Sequence, residues 1–315
     1  MKKTSPLASP TSRADIASRK VHRTLRLVMA AVPLASMPLA AVSADAPRSA
    51  TSAGAHAVVT DRVIAEQNAA LAANTQGKGF GPQSPRDIDA LFGRNLVAFQ
   101  PAPASSAMNL CNIHFHKNAE HKGGQFTTYA GNGDGHGYDT GYKFSGPLSA
   151  AELAPASRAF CSSKHGALRP GDTIEVHYVY SSARIQPGPT LGACLSEAVK
   201  NPQLRVEAQV FVLVNDPKAR DFGEFVRVGE QGGRPQALGI PSDTGTPVQY
   251  GGSTTGPAYN EQGSPFQVSW SVRPRVLKVN IETVGKWCEG NVFKEDHAHG
   301  VRNLVIEHDL LSRIP

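Results

Sequence analysis

The sequence predicts a mainly β fold of the α+β class, with a few short helices and long loops. The chain has 315 residues, of which 40% are hydrophobic and 18% charged, and its 30 Gly and 23 Pro indicate a globular protein rich in turns. Short runs rich in Val, Ile, Phe and Tyr, bounded by Gly, Pro, Asn or Asp, are typical of strands. Helical periodicity is confined to a few segments, and no internal repeat is present.

The N-terminal segment, residues 1–46, resembles a secretory signal peptide. Seven Lys/Arg precede an apolar run over residues 27–42, and small residues follow at 43–46. The run contains Pro33 and Pro38 and is shorter than the roughly 20 residues that a membrane-spanning helix needs. We therefore expect cleavage near residues 45–47, no membrane span afterwards, and a periplasmic or secreted protein.

Loss of this leader also changes the charge of the chain. Residues 1–46 carry seven Lys/Arg and two Asp/Glu, so the net charge falls from +6 to +1 without them. No basic cluster with interleaved aromatic residues follows, and the sequence gives no reason to expect a nucleic-acid partner. The oligomeric state is left open.

Two regions follow the leader. Residues 47–78 are predicted to be a lead-in that is partly helical or disordered, with a helix over residues 58–74, and residues 79–315 to be one domain. The clearest strand candidates in that domain are residues 110–117, 173–181, 204–214, 266–272 and 275–284. Helical signal is limited to about 149–160 and 192–200, and residues 131–141 form a Gly-rich loop.

The four cysteines of the chain predict two disulfides, since an even number in an exported protein favours pairing. Their smallest spacing is 33 residues, and no C-x-x-C pair is present that would favour a thiolate metal site. Three pairings are open for Cys111, Cys161, Cys194 and Cys288.

Two predicted strands carry histidines with matched parity. Asn112, His114 and His116 share one face of the first strand, with the two imidazoles about 7 Å apart along it. Glu175 and His177 share one face of the second. If the strands are neighbours, the three histidines form a zinc site with one open position, the catalytic arrangement that lowers the pKa of bound water to about 7. Asn112 and Glu175 are suited to orient the ligands.

These residues resemble the zinc-binding strands of α-type carbonic anhydrases, and the compact run from Cys111 to Gly124, with Glu120-His121 close behind His116, looks more like the δ class. The segment Gly81–Ile88 resembles the Gln-Ser-Pro segment of that family, and Tyr250–Pro257 resembles its Thr-Thr loop. The resemblance covers roughly residues 79–309 in one collinear order. It implies a large central, mostly antiparallel sheet, zinc as cofactor and carbon dioxide and bicarbonate as substrates.

The resemblance also implies roles for single residues. Thr254 would orient the zinc-bound hydroxide, and Glu120 would accept the proton of the threonine hydroxyl. Thr255 would lie at the mouth, while Val179 and Trp270 would form the apolar wall beside carbon dioxide. No proton shuttle is identified, and the candidates by chemistry alone are His121, His136 and His165.

Two other functions use the same residues. His114, His116 and Glu120 also match the opening of the cupin metal motif, although its expected later glycine is Thr127 and no second element follows. A non-catalytic zinc-binding protein of the same fold is the other alternative. A second H-x-H, His297 and His299, lies in a predicted loop, where we expect a structural or surface role.

Overall fold

A computed structural model describes residues 57–315, so the predicted signal peptide and the start of the lead-in lie outside the described residues. In the described part the α-helices are α1, Asp61–Thr75; α2, Phe222–Phe225; and α3, Ile281–Cys288. Its strands are β1, Asn109–Lys117; β2, Thr128–Tyr129; β3, Tyr142–Lys143; β4, Phe160–Ser163; β5, Gly166–Leu168; β6, Thr173–Ser181; β7, Leu204–Val214; β8, Val228–Gln231; β9, Arg234–Ala237; β10, Val248–Ser253; β11, Gln267–Val272; and β12, Leu277–Asn280.

The architecture is a mainly β fold around one central sheet, which confirms the predicted class. The sheet order is β1-β6-β7-β11-β10, and β12 pairs with the far end of β7. The pairs β1–β6, β6–β7 and β10–β11 are antiparallel, whereas β7–β11 and β7–β12 are parallel. The three longest strands, β1, β6 and β7, are therefore consecutive neighbours.

The two faces of this sheet have different environments because side chains alternate along each strand. One face carries Ile113, Phe115 and Tyr178 and packs in a core with residues of α2 and α3. The other face carries Val179 and Trp270 in a second apolar core. The histidines of β1 and β6 lie on this second face, and the opposite face of the same two strands packs in the apolar core around Ile113, Phe115 and Tyr178.

The predicted strands largely agree with the observed ones. The expected strands 173–181 and 204–214 match β6 and β7, and 110–117 and 266–272 differ from β1 and β11 by one residue at one end. The expected strand 275–284 is wrong beyond residue 280. Asn280 is the N-cap of α3, where its side chain accepts a hydrogen bond from the N–H of Glu282, and the chain turns into a helix.

Two predicted helices are absent from the structure. Within 149–160, Ser149 and Glu152 exchange hydrogen bonds as at a helix start, but the turn ends before Pro155 and β4 begins at Phe160. A proline disfavours helical backbone in the residue before it, which explains the early end. Within 192–200 there is only the 3-10 turn Leu191–Cys194.

The predicted helix 58–74 is confirmed as α1, and it packs on the domain. Leu71 is buried against Val305, Leu310 and Leu311. The side chain of Gln67 donates to the carbonyl of Gly135 in the Gly-rich loop at 2.9 Å. None of the described helices is long and apolar enough to cross a membrane.

Both expected disulfides are present, and the structure decides the pairing. Cys111 of β1 pairs with Cys194, and Cys161 of β4 pairs with Cys288 at the end of α3. The first links an edge of the sheet to the segment after β6. The second attaches α3 to the β4–β5 hairpin.

Candidate metal centre

The register of β1 and β6 brings three histidines together. His114 lies directly opposite His177, and His116 lies opposite Glu175. The ring centroids are 5.1 Å apart for His114 and His177, 5.2 Å for His114 and His116, and 4.7 Å for His116 and His177. One nitrogen from each of the three lies within 4.8 Å of the others, so the group could hold a metal ion.

Hydrogen bonds orient the two ligands predicted on β1. The amide of Asn112 donates to the carbonyl of Gly188, which turns its Oδ1 toward Nδ1 of His114, 2.7 Å away. Nδ1 of His116 lies 2.9 Å from the carbonyl oxygen of Gly300. A carbonyl only accepts, so this nitrogen must be the donor. The remaining nitrogen of His116, Nε2, is buried and has no hydrogen-bond partner among the described residues.

Gly300 approaches the site closely because it lacks a side chain. A Cβ at this position would lie 3.0 Å from the backbone of Gly137, tighter than most real contacts. A larger residue at position 300 would therefore require the backbone of Gly137 to shift slightly away from the segment whose carbonyl reaches His116.

Glu175 is the buried anchor of the third histidine. Its Oε1 lies 3.2 Å from Nε2 of His177, without the alignment of a hydrogen bond, and 2.7 Å from Nδ1 of His121. Its Oε2 accepts from the backbone N–H groups of Glu120 and His121. Burial alone would raise the pKa of Glu175, but His121 and His177 outweigh it and hold the pKa well below its usual range.

A second group, His121, Glu175 and His177, also has closely spaced ligand atoms. Both ring nitrogens of His121 are already engaged, with Glu175 and with the Tyr250 hydroxyl at 2.7 Å. The nitrogens of His121 are therefore not available to a metal ion. In the three-histidine group, by contrast, Nε2 of His116 has no hydrogen-bond partner among the described residues.

Burial keeps the three histidines neutral. It lowers the pKa of His116 to about 4, and together with the neighbouring imidazoles it lowers the pKa of His114 well below 6.5. The pKa of His177 is lowered by burial as well, although Glu175 opposes the shift. Neutral imidazole is the form that binds metal, so these residues need not lose protons at neutral pH.

Glu120 lies beside this group. Its Oε1 is 3.6 Å from Nδ1 of His116 and accepts from the backbone N–H of Arg302. Its Oε2 is buried with no hydrogen-bond partner among the described residues, and burial raises the pKa of the carboxyl. Glu120 belongs to neither of the close ligand groups that residues 57–315 contain. The structure thus groups His114 and His116 with His177. The cupin alternative would require Glu120 in that place.

The Thr-Thr loop packs against the Gln-Ser-Pro segment. Oγ1 of Thr254 lies 2.5 Å from Oγ of Ser264, whose N–H donates to Gln83. In the described chain no hydrogen bond joins Thr254 to Glu120, so the predicted proton transfer between them stays a prediction. Thr255 is half-buried next to it.

The residues predicted for the apolar wall lie on the same face as the histidines. The indole of Trp270 is buried, with its ring centroid 5.0 Å from that of His177, and its Nε1 donates to the carbonyl of Ser253. Val179, also buried, lies opposite Asn112 in the β1–β6 pair. The wall and the Thr-Thr loop are therefore linked through Trp270.

One residue of the second H-x-H, His299, lies next to the three-histidine group, a proximity that the sequence did not predict. The ring of His299 has its centroid 5.7 Å from that of His114 and 5.9 Å from that of His116, and its side chain is 46% exposed. The sequence feature that could have indicated this histidine is the second H-x-H, His297 and His299, but no strand was predicted next to it. The predicted loop in fact bridges to β1 at His116.

The three proposed shuttle histidines are dispersed. His121 is fully buried in the Glu175 network, and His165 stacks on Tyr138 with centroids 3.3 Å apart. His136 is exposed in the Gly-rich loop. Of the histidines considered, His299 is the solvent-exposed one beside the three-histidine group.

Comparison with known proteins gives one family. Residues 105–283 match the family model described as delta carbonic anhydrase. No curated protein matches the chain. Solved structures give weak matches, among them α-carbonic anhydrases from Thermovibrio ammonificans, in complex with sulfanilamide, and from Photobacterium profundum. The Thermovibrio enzyme has 18% identity over 71% of this chain and 84% of its own chain, with a TM-score of 0.24. The Photobacterium enzyme has 15% identity over 72% of this chain and 88% of its own chain, with a TM-score of 0.25.

A hyperthermostable carbonic anhydrase from a hydrothermal vent chimney is similar to the same degree, with 18% identity over 73% of this chain and 87% of that one and a TM-score of 0.24. The family model spans more than half of the chain and includes the histidines of β1 and β6. The chain belongs to the delta carbonic anhydrase family.

Proposed function

We propose that this protein is a zinc-dependent carbonic anhydrase that interconverts carbon dioxide and bicarbonate, with zinc held by His114, His116 and His177. The observation that carries the proposal is the buried, unpartnered Nε2 of His116 beside two further imidazoles. A buried polar atom without a partner is costly, and a metal ion supplies the missing one. Three imidazoles are the donor set that catalytic zinc takes, with an open fourth position.

Zinc in such a site lowers the pKa of water to about 7 and so supplies a hydroxide nucleophile at neutral pH. The protein's part is to fix the donors. Asn112 and the Gly300 carbonyl hold the Nδ1 atoms of His114 and His116, and Glu175 lies beside His177. The acceptors bonded to His114 and His116 would set the tautomer and the ring orientation of these two ligands.

Val179 and Trp270 supply the apolar surface against which uncharged carbon dioxide would lie. Glu120, whose pKa is raised by burial, would accept a proton at its unpartnered Oε2, and Thr254 would orient the nucleophile through its hydroxyl. Three imidazoles also suit cobalt and other divalent ions, so zinc is the proposed metal on the strength of the donor set.

Two measurements test this function. We expect one zinc per chain in the purified protein and stopped-flow hydration of carbon dioxide well above the buffer rate, inhibited by a sulfonamide that occupies the open position. Zinc-loaded protein that hydrates carbon dioxide only at the buffer rate would leave the non-catalytic zinc-binding alternative. Protein without bound transition metal would refute the zinc site itself.

We also propose that the protein is exported to the periplasm or secreted. The basic and apolar pattern of residues 1–46 supports this location, as do the disulfides Cys111–Cys194 and Cys161–Cys288, which persist in oxidising compartments. Intact mass of the exported protein should give a start near residues 45–47. A mature chain that retains Met1 would refute the cleavage.

A further inference from the structure

The strand that carries two of the three histidines, β1, lies at an edge of the central sheet. A short segment, residues 295–300, covers that edge. The N–H of His299 donates to the carbonyl of Phe115 at 2.9 Å, and the N–H of Lys117 donates to the carbonyl of His299 at 3.1 Å. One further backbone donor, the N–H of Phe115, points to the same side and needs an acceptor.

A carboxylate takes the place of a strand carbonyl at this point. Oε1 of Glu295 accepts from the N–H of Phe115 at 3.2 Å, and both residues are buried. Phe115 stands between His114 and His116 in the chain, so its peptide sets the spacing and direction of both imidazoles. Without Glu295 the buried N–H of Phe115 would remain unpaired. Because an unpaired buried donor is costly, β1 would shift at this point until the N–H could bond to water.

The same oxygen of Glu295 also lies 2.8 Å from Nε2 of His299. This contact fixes the ring of His299 beside His114, at the exposed side of the three-histidine group. Oε1 of Glu295 thus contacts both the backbone N–H of Phe115, between His114 and His116, and the imidazole of His299.

Glu295 is itself held in position. Its N–H donates to Oδ1 of Asn291 at 3.0 Å, and its carbonyl accepts from Nδ2 of Asn291 at 2.7 Å. Nδ2 of Asn291 also donates to the carbonyl of Trp287 in α3, the helix that the disulfide Cys161–Cys288 anchors. The carboxylate therefore stands on a fixed support.

We propose that Glu295 is a positioning residue of the metal centre, which fixes the β1 peptide between two ligands and holds His299 at the mouth. The inference rests on the proposed zinc site. It assigns to Glu295 a contribution to zinc affinity that comes through Phe115, and a separate contribution to the placement of His299.

The experiment measures zinc affinity of the folded full chain by competition with a chromophoric chelator. We expect Glu295→Ala to weaken zinc affinity by about tenfold, the lower end of the range for partners that contact a ligand directly, because Glu295 acts through the Phe115 peptide. Glu295→Gln should keep most of the affinity because its amide oxygen can still accept the N–H of Phe115. His299→Ala should keep wild-type affinity, since it leaves the Phe115 contact intact.

Glu295→Asp serves as a second variant if Glu295→Ala does not fold. It keeps the charge but withdraws the oxygen by one methylene, so it should also weaken zinc affinity and alter the visible spectrum of the cobalt-substituted protein. Variants that lose thermal stability but bind zinc as the wild type does would overturn the inference. A wild-type protein that binds no zinc would instead overturn the proposed metal site.

Discussion

His114 and His177 face each other across an antiparallel strand pair, with ring centroids 5.1 Å apart. They are 63 positions apart in the chain, and the register of β1 against β6 is what brings them together. A slip by one residue would move every histidine of one strand to the opposite, apolar face of the sheet. The three-histidine group therefore depends on the same strand pairing that forms the core.

His177→Ala should abolish stoichiometric zinc binding, because two imidazoles on one strand leave the site with too few donors. Zinc content by elemental analysis of the purified variant is the measurement. His299→Ala is the matched control, since His299 lies beside His114 but outside the three-nitrogen group. Retention of one zinc per chain in His177→Ala would refute the assigned ligand set.

Asn112→Ala should weaken zinc affinity by about 10–100-fold, since it removes the acceptor that orients His114. Asn109→Ala is the control on the same strand, where a buried amide donates to the carbonyl of Ala183 away from the histidines. Chelator competition measures both. Equal losses in the two variants would show that the effect is general damage to β1.

Thr254→Val should lower the hydration rate by about a hundredfold while zinc content is unchanged, as expected for loss of a polar group that acts on the nucleophile. Thr255→Val should have a smaller effect, because Thr254 is the one of the pair that is buried and bonded to Ser264. Stopped-flow assays with zinc-loaded protein compare them. A larger loss of hydration rate in Thr255→Val than in Thr254→Val would show that Thr255 is the residue that orients the nucleophile.

The metal-free protein should lose stability as the pH falls from 7 to 5. Burial lowers the pKa of His116 from 6.5 to about 4, so the unfolded chain binds more protons in this interval, and the free energy of unfolding decreases. For His116 alone the loss is about 2 kcal/mol. Urea denaturation at both pH values measures it.

The control for this pH effect is His116→Gln, which should show a smaller loss between pH 7 and pH 5. The comparison removes the share of the other titrating groups, including His299, whose pKa is raised because the carboxylates of Glu295, Glu120 and Asp296 together outweigh burial. A slope identical to that of the wild type would mean that His116 does not titrate as described.

Removal of the Cys161–Cys288 disulfide by a double alanine substitution should lower the free energy of unfolding by about 2–5 kcal/mol. The bond closes a loop of sequence separation 127 and ties α3, which supports Glu295, to the β4–β5 hairpin. Chemical denaturation measures the change. A variant as stable as the wild type would show that packing of α3 is sufficient.

The sequence by itself determined the strands and the chemistry they carry. Alternation in residues 110–117 and 173–181 predicted strands with histidines on one face, because side-chain direction has a period of two in any strand. It also predicted two disulfides and a mainly β fold. Local signals were weakest where capping and proline compete with periodicity, as at Asn280 and Pro155.

Only the tertiary structure decided which distant residues meet. It paired Cys111 with Cys194, placed His177 opposite His114, and brought Glu295 and His299 to the edge of β1. A sequence pattern predicts which face of its own strand a side chain lies on. It does not predict which distant segment pairs with the edge of that strand. For this reason the sequence left open whether the second H-x-H has a structural or a surface role, and the structure shows that its backbone pairs with the edge strand that carries His114 and His116.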